Sequence, residues 1–143
     1  MSGATVLQNG RAKAYRPLPA ADRRRAFEAA LAAYENGDFF ETHELLEPAW
    51  MGTADLAERA LHQGLIKLAA AFVHGVRGNP AGIAKNLAGA REHLAAAVGT
   101  APAAASGLDV SALLAAIDER RARLAANPTD ASIEAPVLPR NRS

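Results

Sequence analysis

Phe39-Phe40-Glu41-Thr42-His43-Glu44-Leu45-Leu46-Glu47-Pro48-Ala49-Trp50 sets one histidine, three carboxylates and the chain's single tryptophan into about three helical turns. Asp38 can cap the first amides of this helix, and Glu41, three residues on, can reach back to the Asp38 amide in a capping-box-like start. Projected down the axis, His43 and Glu47 fall side by side at i, i+4, with Phe39 and Trp50 on one flank and Phe40 on the other. A solvated face is not normally bracketed by three large aromatics, so His43 and Glu47 are expected in the interior or lining a cleft. Ionisable groups in such a place need partners from elsewhere in the fold. Pro48 ends or kinks the helix, because it lacks the amide that would bond the Glu44 carbonyl.

Helices are expected on both sides of this segment. Upstream, Phe27, Leu31 and Tyr34 recur at i, i+4, i+7 and Gly37 supplies a left-handed stop, which predicts an amphipathic helix over about 20–36. Downstream, a long helix is expected from Ala54, capped by Thr53, to Arg77, with Gly78 closing it. Asn79 caps a fourth helix with Pro80 in its first turn; Ile83, Leu87 and Leu94 mark its buried stripe, and Gly99 ends it. The third and fourth helices form an antiparallel hairpin. Thr100 to Gly107 reads as a loop, after which Val110, Leu113, Leu114, Ile117 and Leu124 share one face of a fifth helix. Neither an internal repeat nor strand-like alternation of useful length is seen. The expectation is an all-α fold, a single compact helical bundle of about five helices over 19–126, with an N-terminal arm at 1–18 and an extended, proline-containing tail at 127–143.

Within the long helix, Gln63, Lys67 and His74 fall on one polar stripe opposite a wide apolar arc. Beside that stripe runs a row of Gly64, Ala71 and Gly75. Glycine inside a helix costs about 1 kcal/mol relative to alanine, so close approach of a neighbouring helix along this row is the expected compensation. The stripe then lies at an interface, and Gln63, Lys67 and His74 become the natural partners of His43 and Glu47.

Composition removes several functional classes. Sixteen Lys and Arg against fifteen Asp and Glu leave a formal charge of +1, which provides no global field for nucleic acid or an anionic membrane. With no cysteine there is no thiol nucleophile or thiolate-bound zinc, and any metal must be held by His, carboxylate or amide groups. The longest apolar region, Leu65 to Val76, is interrupted by Lys67 and His74 and falls short of a membrane span. The amino terminus has no basic stretch followed by an apolar core, so a cytoplasmic protein without nucleic-acid or membrane partners is expected. Arg23-Arg24-Arg25 and Arg120-Arg121 with Arg123 are interleaved with Asp22, Glu28, Asp118 and Glu119 and read as solvated helix faces. His62, one turn from Glu58, and His93, beside Glu92, read as surface or packing residues.

The Phe39–Trp50 segment, followed by Gln63-Gly64-Leu65-Ile66-Lys67-Leu68-Ala69-Ala70-Ala71 and then His74 with Arg77-Gly78-Asn79-Pro80, resembles domain-of-unknown-function family 309 over roughly 22–98. These are small, mostly bacterial, all-helical proteins. The resemblance implies a compact helical bundle and carries no function. It picks out Glu41, His43, Glu44, Glu47, Gln63 and His74 as the positions matching the family's polar signature.

Two uses of this cluster are open. The first is a structural or small-ligand-binding module, in which an interior His/Glu/Gln/Lys cluster orients the second and third helices and Gln63, Lys67 and Trp50 are the ligand-facing candidates. The second is a metal-dependent hydrolase-like site. There His43, Glu47 and His74 would ligate a divalent metal and Glu44 would act as the catalytic base, by analogy with a His-Glu-x-x-His helix. Glu47 in place of the second histidine weakens that analogy, and the Lys67 ammonium would repel a cation. A small molecule or metal is therefore the expected ligand, and self-association through an alanine-rich helix face is a further option.

Overall fold

From the second helix onward, every helix begins where a short polar side chain accepts its first amides. The computed structural model describes residues 5–8 and 11–141. The helices are α1 (Ala20–Glu35), α2 (Phe39–Met51), α3 (Leu56–Val76), α4 (Pro80–Ala97), α5 (Ala101–Ala105) and α6 (Val110–Ala126). Asp38, Asp55, Asn79, Thr100 and Asp109 cap α2 to α6 in turn, each through its side-chain oxygen. Gly37 and Gly78, at φ 80° and 70°, close α1 and α3 in the left-handed region that side chains rarely enter.

The all-helical bundle is as expected, with four departures. The expected 100–107 loop contains the short helix α5, so there are six helices among the described residues. The cap of α3 is Asp55, which takes the amides of Ala57 and Glu58; Thr53 instead accepts from the Asp55 amide and donates to Glu58. The Glu41 half of the capping box is not made, because the Asp38 amide already donates to the Ala33 carbonyl at 2.8 Å. Finally, the arm holds an antiparallel hairpin, β1 (Thr5–Gln8) and β2 (Arg11–Ala14), with Thr5 opposite Ala14. Strands of four residues are too short for alternation to stand out in sequence.

Helix α3 is the centre of the molecule. Residues 61–66 are all buried, so this part of the helix is covered on every side. Its glycine row meets α4 as expected: a Cβ on Gly64 would lie 2.5 Å from Leu94 Cγ, and one on Gly75 would lie 3.6 Å from Ile83 Cδ1. On the other side α2 runs antiparallel to α3, with Phe39 against Phe72 at one end and Arg59 over Trp50 at the other. Pro48 does not end α2, which continues to Met51. Residues 16–18 are fixed to the end of α2 by Arg16 N–H to Met51 O and Leu18 N–H to Gly52 O. The tail runs back over the bundle as extended chain and buries Ile133, Pro136 and Leu138. No helix among the described residues is long and apolar enough to cross a membrane.

Candidate functional site

The conspicuous motif stands at the edge of the interior, not within it. Thr42, Leu46, Ala49 and Trp50 form the buried seam of α2, while Phe40 is 62% exposed. Loss of Phe40 from the interior removes one of the aromatic brackets, and the face between seam and solvent is where His43, Glu44 and Glu47 lie. Their side chains are 34%, 53% and 37% exposed. They do come together: His43 Nδ1 lies 3.4 Å from Glu44 Oε1, and His43 Nε2 lies 3.9 Å from Glu47 Oε2. Glu44 and Glu47 also border a groove of about 380 Å³ with Arg16 and Leu18.

Two of the expected partners on α3, Lys67 and His74, meet α4 instead. The stem of Lys67 packs against Gly89 of α4, where an added Cβ would sit 3.5 Å from its Cγ and Cδ. His74 is at the α3–α4 turn: Asn79 Nδ2 donates to its Nδ1 at 3.2 Å, and its ring lies over Gly82. Gln63 is buried within α3. Trp50, 2% exposed and covered by the Arg59 guanidinium at 5.1 Å, has no free face for a ligand. His43, Glu44 and Glu47 therefore form a partly exposed group on α2, while Lys67 and His74 belong to the α3–α4 contact. Among the described residues, no group of three or more His, Asp or Glu side chains is placed to hold a metal ion.

A different polar set is drawn into the fold, and it includes His62, expected as a surface or packing residue. His62, in the first half of α3, is 3% exposed. One turn earlier on the same helix, Glu58 approaches its Nε2 at 3.8 Å. Arg23 reaches across from α1 and grips Glu58 with two bonds, Nε to Oε2 at 2.7 Å and Nη2 to Oε1 at 3.2 Å, while its Nη1 donates to the Leu18 carbonyl. Thr53 completes the arrangement by donating to Glu58 Oε1. Arg23 thus leaves the set of solvated arginines because Glu58, one helix away, supplies a carboxylate in the matching geometry.

Arg23, Glu58 and His62 line a cleft of about 420 Å³ between α1, α3 and α5. Phe27 and Leu61 form its floor, and Ala101, Pro102 and Ala105 of α5 its opposite wall. The Phe27 ring lies 5.8 Å from the His62 ring and 5.8 Å from the Arg24 guanidinium. Burial is the main influence on His62 and pushes its pKa down to about 4, outweighing the Glu58 carboxylate that favours the charged form. The Ala49 carbonyl acts in the same direction as Glu58, and Nδ1 is buried without a partner. His62 is consequently neutral at physiological pH, next to an ion pair already balanced between Arg23 and Glu58.

The likeness read from the motifs holds against the family's own model. Domain of unknown function (DUF309) matches residues 27–86, from the middle of α1 into α4. The match takes in the α2 motif, Glu58, His62 and His74, and stops short of α5, α6 and the tail. No curated protein and no solved structure matches the chain.

Proposed function

We propose that this protein is a small-ligand-binding helical module whose site is the cleft between α1, α3 and α5. The observation that carries this reading is the cleft's combination of features. It is an open space of about 420 Å³ with an apolar floor, set beside a part-buried Arg23–Glu58 pair and a neutral, buried His62. Ligand pockets have this character: a concave, mainly apolar surface with a few polar groups held in fixed positions. The groove at Glu44 and Glu47 has two partly exposed carboxylates and no buried polar group, which makes it the weaker candidate.

The test is a fragment screen by ligand-observed NMR on the full chain and on Ala105→Trp. Ala105 is exposed at the cleft wall, so an indole there fills the space without entering the core. Fragments that bind the native chain are expected to lose binding to this variant while the circular-dichroism spectrum stays unchanged. Equal binding to both proteins would place the ligand elsewhere, and a screen without hits on the native chain would remove the reading.

A further inference from the structure

The hydrogen bonds already made around the cleft indicate which class of ligand it takes. On the acceptor side most of the capacity is taken. Glu58 Oε1 accepts from Arg23 and Thr53, and Glu58 Oε2 from Arg23. Asp55 Oδ1 accepts the first amides of α3. Ser106 Oγ donates to the Ala103 carbonyl and accepts from the Leu108 amide.

On the donor side capacity is left over. A guanidinium carries more N–H groups than these arginines use. Arg23 places three on Glu58 and Leu18. Arg24, whose side chain is half exposed, places one on the Ala105 carbonyl at 3.0 Å and pairs another nitrogen with Glu28. Arg24 therefore spans the cleft from α1 to α5 with part of its fork uncommitted among the described residues. Its guanidinium also stands over the Phe27 ring at 5.8 Å, which holds the charge at the cleft's apolar floor and facing Pro102 of the opposite wall.

Resting on the reading of this cleft as the binding site, we infer that it takes a small organic carboxylate with a flat apolar body, the carboxylate held by Arg24 and the body against Ala101 and Pro102 of the α5 wall. A free inorganic anion would leave the apolar walls unused, and a neutral aromatic would leave the arginine donors unmatched. A carboxylate suits the arginine fork because two parallel N–H groups can meet its two oxygens.

The experiment is calorimetric titration of the full chain, at low salt and near neutral pH, with three probes: benzoate, benzamide and inorganic phosphate. Benzoate is expected to bind about ten-fold more tightly than benzamide, the gap between a charge-assisted and a neutral hydrogen bond. Phosphate is expected to bind more weakly than benzoate. In Arg24→Gln the preference for benzoate over benzamide should fall to near unity; a preference that survives this change would overturn the assignment to Arg24. Benzamide binding as tightly as benzoate would overturn the carboxylate class while leaving the cleft as the site, and phosphate matching benzoate would overturn the apolar body. Failure of both aromatic probes, or benzoate binding undiminished in Ala105→Trp, would remove the cleft reading on which this inference rests.

Discussion

At the residue scale, His62 gives the protein a stability signature in acid. Its pKa is pushed down from 6.5 to about 4 in the fold, first by burial, so between these values the unfolded chain binds a proton that the folded chain does not. The slope of unfolding free energy with pH takes the sign of that difference. Stability therefore rises with pH through the window from about 4 to 6.5, is complete above it, and is lost as pH falls through it. The slope is at most about 1.4 kcal/mol per pH unit for one proton. Denaturant titrations of the native chain and His62→Gln at several pH values should show this window flattening in the variant. The α2 motif leads to the opposite kind of expectation. Since His43, Glu47 and His74 are not gathered, treatment with EDTA should leave the melting temperature unchanged, and a fall would reinstate them as ligands. In sequence His43 is prominent and His62 is not, because a motif records neighbours along one helix. The Glu58–His62 turn was visible, but the arginine that completes it is 35 residues from Glu58, on another helix.

At the element scale, the α3–α4 contact rests on small residues, and that much was legible. The row of Gly64, Ala71 and Gly75 predicted a close neighbour, and α4 occupies the place. A Gly64→Ala change tests it through two opposed effects. Helix propensity favours alanine by about 1 kcal/mol. Against it, the added Cβ would fall 2.5 Å from Leu94 Cγ, 2.6 Å from Cδ2 and 3.1 Å from the Leu94 backbone nitrogen. Leu94 is fully buried, so its side chain has nowhere to swing, and the backbone cannot yield without moving α4. Overpacking of this kind costs about 1–3 kcal/mol, so the variant should melt lower than the native chain. A higher melting temperature would mean that α4 has room to move away. What the row could not reveal was the face of α2. Phe39 and Phe40 are equivalent as letters, yet only Phe39 meets Tyr34 and Phe72. That choice, made by α1 and α3, determines that His43 and Glu47 lie outward.

At the scale of the whole molecule, the tail fastens α1 to α6. Tyr34 on α1 donates its hydroxyl to the Pro136 carbonyl at 2.7 Å, and Arg140 forms a two-pronged pair with Glu35. On the other flank Glu134 meets Arg120 and Arg123 of α6, and Asp109, the cap of that helix, donates its amide to Pro139. No periodicity announces such a strap, since it consists of separate anchors in extended chain, and Tyr34 and Pro136 are 102 residues apart. The anchors are unequal. The Arg140 and Glu35 side chains are 31% and 41% exposed, where an ion pair contributes about 0–1 kcal/mol. The Tyr34 hydroxyl bond is buried, and burial itself raises the phenol's pKa, so it stays a donor throughout the physiological range. Tyr34→Phe leaves the Pro136 carbonyl without its donor, at a cost of about 1–3 kcal/mol. Tyr34→Phe should therefore lower the melting temperature more than Arg140→Ala. Added salt should narrow the effect of Arg140→Ala and leave that of Tyr34→Phe unchanged, because only the exposed pair is screened. A chain ending at residue 126 should melt lower than either, since Ile133 and Leu138 each bury a side chain worth about 1.5–3 kcal/mol. If the truncated chain melted at the native temperature, the strap would be a passenger on a bundle that closes without it.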